Sequence, residues 1–224
     1  MPANEQTQEF RYLFPAAIRT GASGALVMEW PDGAGAFGQS RPLTVNSRLP
    51  MIHCRQSAFS PKECRAVIEL GESLPRTDGR AELRADTYRV SHIAWIEPRP
   101  ENHWLYHKLA VLFAEANRHY GFELTGFVDP LQYTVYGTEQ HFEWHMDIGS
   151  DVTGARKLSM TLQLSEPQDY AGGALEFITA SMPFEARQLG SATFFPSYLA
   201  HRVTPVQSGV RRSLVAWGCG PAFK

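Results

Sequence analysis

Lys157-Leu158-Ser159-Met160-Thr161-Leu162-Gln163-Leu164 alternates polar and apolar side chains without a break. Successive side chains of a β-strand point to opposite faces, so this stretch predicts a strand with one apolar face. Short alternating segments recur on either side of it from Gly126 onward: Phe127–Tyr136, Phe142–His145, Ala174–Phe177, Pro183–Gln188, Ser191–Phe195, His201–Val206 and Arg211–Trp217. The breaks include Gly149-Ser150-Asp151, Pro167-Gln168-Asp169, Gly172-Gly173, Pro196 and Ser208-Gly209, all built from turn-forming residues. Eight such strands predict an antiparallel sandwich or jelly-roll barrel, whose mouth can hold a small ligand.

Upstream the periodicity is helical. Ser60-Pro61-Lys62-Glu63 places serine at the N-cap, proline at N1 and glutamate at N3, which predicts a helix burying Cys64, Val67, Ile68 and Leu74 and ending near Gly71 or Pro75. A second helix is expected from Asn102 to Tyr120, with Leu105, Leu109, Leu112, Phe113 and Ala116 at helical spacing and Gly121 as its C-cap. Between them Thr87–Ile96 reads as a strand, and Thr77–Thr87 as a charged loop, either a mobile lid or plain surface. Residues 1–50 are different in kind, with Gly21, Gly24, Pro31, Gly33, Gly35, Gly38 and Pro42 around one apolar patch at Ala25–Trp30. They predict an N-terminal extension with one short strand, partly docked and partly mobile, ahead of a single domain at 51–224. No Gly-Lys-Ser/Thr follows these glycines, so they make no phosphate-binding loop.

Bulk properties exclude several classes. The chain has 224 residues, 43% hydrophobic and 20% charged, with a net charge of -2, which is ordinary for a globular protein and gives no basis for a nucleic-acid partner. No apolar run approaches the roughly 18 residues needed to cross a bilayer, and no secretory leader is visible, so no membrane partner and a cytoplasmic location are expected. Cys54, Cys64 and Cys219 include no CxxC pair, which argues for free thiols over a disulfide framework or zinc knuckle.

The chemistry concentrates in His145-Met146-Asp147 and His201. Residues i and i+2 of a strand share a face, so His145 and Asp147 can hold one ion, with Met146 and Trp144 directed to the outer core. Two imidazoles and one carboxylate form a facial triad suited to non-haem Fe(II). Arg211 follows His201 by ten residues across a Ser208-Gly209 turn, and a hairpin of that length returns its guanidinium to the metal site. There its planar fork can bind a carboxylate in bidentate fashion. Arg212 then faces solvent, and Arg156 and Lys157 read as a solvated strand start. His141 shares the parity of His145 and is a candidate for the substrate mouth. Trp217 reads as core.

These segments together resemble the 2-oxoglutarate- and Fe(II)-dependent oxygenases of the prolyl 4-hydroxylase-like branch. The similarity runs through Thr87-Tyr88-Arg89-Val90-Ser91 with Ala94-Trp95, Leu131–Gly137, His141–Asp147, Arg156–Ser159, Tyr170–Phe177 and Phe195-Pro196-Ser197 to Trp217, in consistent order over about residues 53–224. It implies a double-stranded β-helix with helices on the outer sheet. It also implies iron on His145, Asp147 and His201, with 2-oxoglutarate anchored by Arg211, and O2 as second cosubstrate. Ascorbate is the candidate reductant. Tyr136 matches a family tyrosine near the cosubstrate. Gln163 falls where some relatives place a tyrosine that contacts the far carboxylate. Arg89 and Ser91 lie on a strand that the family pattern puts on the substrate side; a structural salt bridge is the competing reading for Arg89.

The implied reaction is hydroxylation of an unactivated C–H bond with release of succinate and CO2. The intact carboxylate at Asp147 argues against halogenation. The resemblance favours a prolyl residue, an amino acid or a related small molecule as substrate. Two alternatives stand beside it: a natural-product tailoring oxygenase of the same chemistry, and a non-catalytic β-helix module that senses oxygen or a metabolite.

Overall fold

The computed structural model describes residues 52–79, 88–178 and 184–222, together with 6–9, 17–21, 26–29 and 42–45. The chain divides into two compact units, Met1–Leu49 and Pro50–Lys224. In the first, β1 (Gln6–Glu9) pairs with β4 (Pro42–Val45), and β2 (Ala17–Thr20) with β3 (Leu26–Glu29), both antiparallel. Four short strands thus stand where one is expected from sequence. Pairing of β1 with β4 joins segments far apart in the chain, which no local pattern can report.

The second unit carries β5 (His53–Arg55), α1 (Pro61–Glu72), β6 (Thr77–Asp78), β7 (Arg89–Val90), β8 (His92–Ile96), α2 (His103–Tyr120), β9 (Leu131–Tyr136) and β10 (His141–His145). After these come β11 (Arg156–Gln163), β12 (Tyr170–Gly172), β13 (Leu175–Phe177), β14 (Ala192–Pro196), β15 (His201–Val203), β16 (Val206–Gly209) and β17 (Arg211–Cys219). A seven-stranded sheet has the order β5-β14-β11-β17-β9-β8-β6, a four-stranded sheet the order β13-β15-β10-β7, and β12 pairs with β16. The predominantly β architecture with two helices agrees with the double-stranded β-helix expected from sequence.

The expected alternation of β11 holds, and each of its faces has a job. Leu158, Met160 and Leu162 are fully buried in the apolar core. That core also contains Tyr133 and Phe194, which meet the helices: Tyr133 Oη donates to Glu72 of α1 at 2.8 Å, and the Phe113 ring of α2 lies edge-on to Phe194 at 5.3 Å. Gly71 lets α1 approach this closely, because a Cβ there would lie 2.4 Å from the Tyr133 ring. Ser159 and Gln163, on the opposite face, are also buried. The polar face of this sheet is therefore interior, and its hydroxyls and amides need partners or ligands.

Both helix starts and stops follow the local code. Ser60 caps α1 in a complete capping box, and Gly121 ends α2 with φ 68°, a left-handed turn that glycine adopts without strain. The helix buries Cys64, Val67 and Gly71, while Ile68 and Leu74 are only partly covered. Other expectations need correction. The segment expected as a strand from Pro183 to Gln188 holds a 3-10 turn at Phe184–Arg187, with Pro183 outside the described residues. The stretch His201–Val206 is split between β15 and β16, each pairing with a different strand. Of the charged loop Thr77–Thr87, Thr77–Asp78 pairs with β8 and residues 80–87 lie outside the described residues. All three cysteines are free, and burial pushes the Cys64 thiol up to about 11. Among the described residues no helix is long and apolar enough to cross a membrane.

Glu63 joins the two helices. Its carboxylate accepts from Lys108 Nζ of α2 at 2.6 Å and from the Ser60 backbone N–H at 2.7 Å. The Lys108 hydrogen bond, followed by that of Ser60, holds its pKa down at about 2, against an ordinary 4.5. A depressed folded-state pKa gives stability that is present above the ordinary value and lost as pH falls from 4.5 toward 2. Glu63→Gln should therefore cost about 1 kcal/mol at pH 7 by denaturant titration. The gap from the parent protein should close in acid; a gap independent of pH would contradict the role of the charge.

Candidate metal centre and its cavity

His145 ends β10, His201 opens β15, and the two are register partners in the four-stranded sheet. Asp147 lies beyond the end of β10, so strand periodicity does not place it. Its backbone N–H donates to Ser197 O at 2.9 Å, and Arg156 Nη1 donates to its carbonyl at 3.1 Å. These two bonds hold the loop so that its carboxylate faces both imidazoles. Asp147 Oδ1 is 3.7 Å from His145 Nε2, and Oδ2 is 3.7 Å from His201 Nε2. All three ligand atoms fall within 4.8 Å of one another.

The hydrogen bonds fix how each ring is presented. His145 Nδ1 lies 2.8 Å from Glu143 O, and His201 Nδ1 lies 2.9 Å from Leu199 O. A carbonyl only accepts, so each Nδ1 carries a proton, and each ring turns its Nε2 to the centre as the ligand atom. Burial, then the charge of His201, lowers His145 to about 3, so this ring is neutral and able to bind metal at ordinary pH. Burial would raise Asp147, but the adjoining imidazoles, the Ser159 hydrogen bond and Arg156 outweigh it and keep the carboxyl low. The three ligand atoms are close enough together that these residues would hold one cation, a set suited to Fe(II). The remaining side opens into a cavity of about 530 Å³.

Arg211 lines this cavity and is 3% exposed. It is the register partner of Tyr136, which is buried and also lines the cavity, with the guanidinium 5.6 Å from its ring. Among the described residues no carboxylate pairs with Arg211. Arg89 reaches the cavity too: Nε donates to Ser91 Oγ at 3.0 Å, while Nη2 is buried without a partner among the described residues. Among the described residues Arg89 has no carboxylate partner; its contacts there are neutral hydrogen bonds and the Phe142 ring, 4.6 Å from the guanidinium.

Several expected residues stand elsewhere. Ser91 is buried behind Arg89 and does not line the cavity, because the chain passes from the four-stranded sheet (β7) to the seven-stranded one (β8) at that residue and parity restarts. His141 is also outside it, with Nδ1 3.0 Å from Glu139 O. Irregular register between Phe142 and His145 breaks the alternation, so Phe142 takes the inward position and stacks on His145 at 3.5 Å. Gln163 lies in a recess behind Arg211, its amide turned to Tyr170. Met146 is 55% exposed at the cavity rim, and Trp144 is half-buried beneath Arg202. Arg212 is on the outer face, paired with Glu72 at 3.2 Å rather than simply solvated. Trp217 is buried as expected, yet it lines the cavity with its indole N–H unpartnered among the described residues.

Two residues gain a part that the reading of the sequence did not assign to them. Ser159 Oγ donates to Asp147 Oδ2 at 2.6 Å and lies 2.9 Å from Ser197 Oγ. Arg156, expected in solvent, forms a bidentate pair with Asp129 at 2.9 and 2.8 Å and stacks 3.8 Å over Trp217. Lys157 beside it is 4% exposed. Nothing local separates such an arginine from a solvated one; only Ser159, on the polar side of an alternating strand, has a sequence signal. Outer partners of this kind typically change metal affinity by about 10–100-fold. Ser159→Ala should weaken Mn(II) or anaerobic Fe(II) binding about tenfold by calorimetric titration, and His201→Ala should abolish stoichiometric binding.

Comparison with known proteins agrees with this geometry. Residues 131–218 match the model of the 2OG-Fe(II) oxygenase superfamily. A PKHD-type hydroxylase of Synechococcus sp. (strain CC9902) is 40% identical over 77 residues, 34% of this chain and 35% of the relative. One from Hyphomonas neptunium is 48% identical over 64 residues, 27% of each chain. The matches span between 27% and 43% of the length of such curated relatives. Among solved structures, a prolyl-4-hydroxylase of Pseudomonas putida aligns with TM-score 0.62 at 20% identity, over 77% of this chain and 94% of that one. A Trichoplax adhaerens prolyl hydroxylase, in complex with a hypoxia inducible factor peptide fragment, aligns with TM-score 0.62 at 17% identity, over 78% and 84%. At these identities the structural likeness speaks for the fold. The segment that matches the 2OG-Fe(II) oxygenase superfamily model holds the whole His145–Asp147–His201 cluster together with Tyr136 and Arg211, and the fold around it is similar to that of the prolyl hydroxylase structures.

Proposed function

We propose that this chain is an Fe(II)- and 2-oxoglutarate-dependent hydroxylase, with residues 51–224 as its catalytic domain and residues 1–50 as an N-terminal extension. The observation that carries the reading is the buried Arg211 guanidinium, unpaired with any described carboxylate, in the cavity that the three-ligand cluster opens into. A buried cation without a counter-ion is costly, and an anionic cosubstrate removes that cost. A dicarboxylate that chelates a metal at one end and pairs with an arginine at the other fits both features.

In this reading His145, Asp147 and His201 hold Fe(II), and Arg211 with Tyr136 binds the far end of 2-oxoglutarate. When bound, iron and cosubstrate supply the oxidation, in which O2 and 2-oxoglutarate become succinate, CO2 and one hydroxyl on the substrate. The protein's part is placement. Ser159 and Arg156 keep Asp147 in position, the buried hydroxyl face of β11 keeps bulk water from the centre, and Tyr136 packs against Arg211 so that the guanidinium points one way.

The substrate enters past Met146 and meets Arg89 and Trp217, whose donors, unpartnered among the described residues, call for acceptors such as peptide carbonyls or a carboxylate. This supports a prolyl residue in a peptide, or an amino acid, over an apolar metabolite. The peptide held by the Trichoplax adhaerens neighbour supports the first.

Iron-loaded protein with 2-oxoglutarate and a panel of prolyl peptides and free amino acids should yield succinate and a product heavier by one oxygen atom, detected by mass spectrometry. Absence of both succinate and oxygenated product across the panel counts against the reading. His145→Ala should abolish substrate-stimulated succinate formation. Arg211→Ala should raise the 2-oxoglutarate requirement on the order of 100-fold with a smaller effect on kcat. An unchanged requirement would remove Arg211 from its role.

A further inference from the structure

Behind Arg211 lies a second recess of about 50 Å³, which shares Thr161, Leu175 and Arg211 with the cavity as common walls. That is room for a group of a few atoms, such as a carboxylate. Two guanidinium groups, Arg211 and Arg187, line the recess, and among the described residues no acidic side chain does.

The hydrogen bonds here have a definite direction. Gln163 Nε2 lies 2.9 Å from Tyr170 Oη and 3.3 Å from Ser165 O. A carbonyl only accepts, so this atom is the amide nitrogen, and its two protons go to Ser165 and to the phenol oxygen. The phenol therefore accepts from Gln163, and its own proton is left over. Tyr170 is 6% exposed, and among the described residues no acceptor takes that proton. Leaving a buried donor unmatched costs more than a hydrogen bond returns, so the recess calls for an acceptor.

Gly173 brings the phenol and the guanidinium together. A Cβ at this residue would lie 3.1 Å from Arg211 Cδ and 3.4 Å from Tyr170 Cδ2, so both side chains pack against the space that glycine leaves empty. Its φ of 57° also suits glycine.

We propose that Tyr170 is a further cosubstrate-binding residue, which donates its phenolic proton to the same far carboxylate that Arg211 anchors. Gln163 is then a positioning residue that turns the phenol by hydrogen-bonding to its oxygen. This rests on the 2-oxoglutarate reading above, and the test separates the two. Equilibrium dissociation constants are measured by calorimetry on Mn(II)-loaded protein, without turnover, for 2-oxoglutarate and for 2-oxopentanoate, which lacks the far carboxylate.

Parent protein should prefer 2-oxoglutarate. Tyr170→Phe should weaken 2-oxoglutarate about tenfold, as for one hydrogen bond to a charged group, and leave 2-oxopentanoate within about twofold. Gln163→Met should weaken 2-oxoglutarate about threefold, again without effect on 2-oxopentanoate. Equal losses for both ligands, or no loss in Tyr170→Phe, would overturn the assignment of Tyr170. A parent protein that binds the two ligands equally would instead overturn the 2-oxoglutarate reading itself.

Discussion

A carboxylate as little exposed as that of Asp147, its side chain 9% accessible, has to be compensated by its neighbours, and much of the site follows from how this is done. Two imidazoles face its oxygens at 3.7 Å, Ser159 donates to Oδ2, and the backbone on either side of the side chain is pinned by Ser197 and Arg156. Such a cluster is stable as a set: removal of one partner leaves a buried charge or donor uncompensated. The same compensation makes a ready metal site. Carbonyl acceptors at Glu143 and Leu199 commit each Nδ1 proton, which leaves three inward ligand atoms and one open side.

The seven-stranded sheet provides the setting. Its apolar face is consumed by the two helices, whose aromatic and aliphatic side chains close over Tyr133 and Phe194. The polar side chains of β11 therefore face inward, where Ser159 serves the metal cluster while Thr161 and Gln163 line the recess near Arg211. Arg156 ties the edge of this face to the metal loop, to Asp129 and to Trp217. Its guanidinium is shared among a carboxylate, a carbonyl and an aromatic ring, contacts that offset the partial loss of water.

Legibility of the site varied with the kind of information each residue needed. His145, His201, Tyr136 and Arg211 come together as their strand positions suggest, because register pairs His145 with His201 and Tyr136 with Arg211. Asp147 joins them for a different reason, since a loop bond to Ser197 rather than strand periodicity places it. Ser91 and His141 illustrate the limit of counting by twos. The chain changes sheets at the first and loses its regular ladder just after the second, and at each point the alternation restarts. Arg156 and Tyr170 were opaque from sequence because their partners, Asp129, Trp217, Gln163 and Gly173, meet them only in three dimensions.

By itself the sequence determined the elements and the chemical inventory. Capping residues, helical spacing and strict alternation are local, so α1, α2 and β11 could be read from neighbours alone, and two histidines, an aspartate and an arginine supplied the expectation of a metal and an anion. Tertiary structure decided which polar side chains face the cavity, which neighbours compensate the buried charges, and where the recess behind Arg211 lies. The physical reason is range. Backbone propensity acts over one turn or one pleat, whereas desolvation and hydrogen-bond satisfaction depend on every group the fold brings near, however distant in the chain.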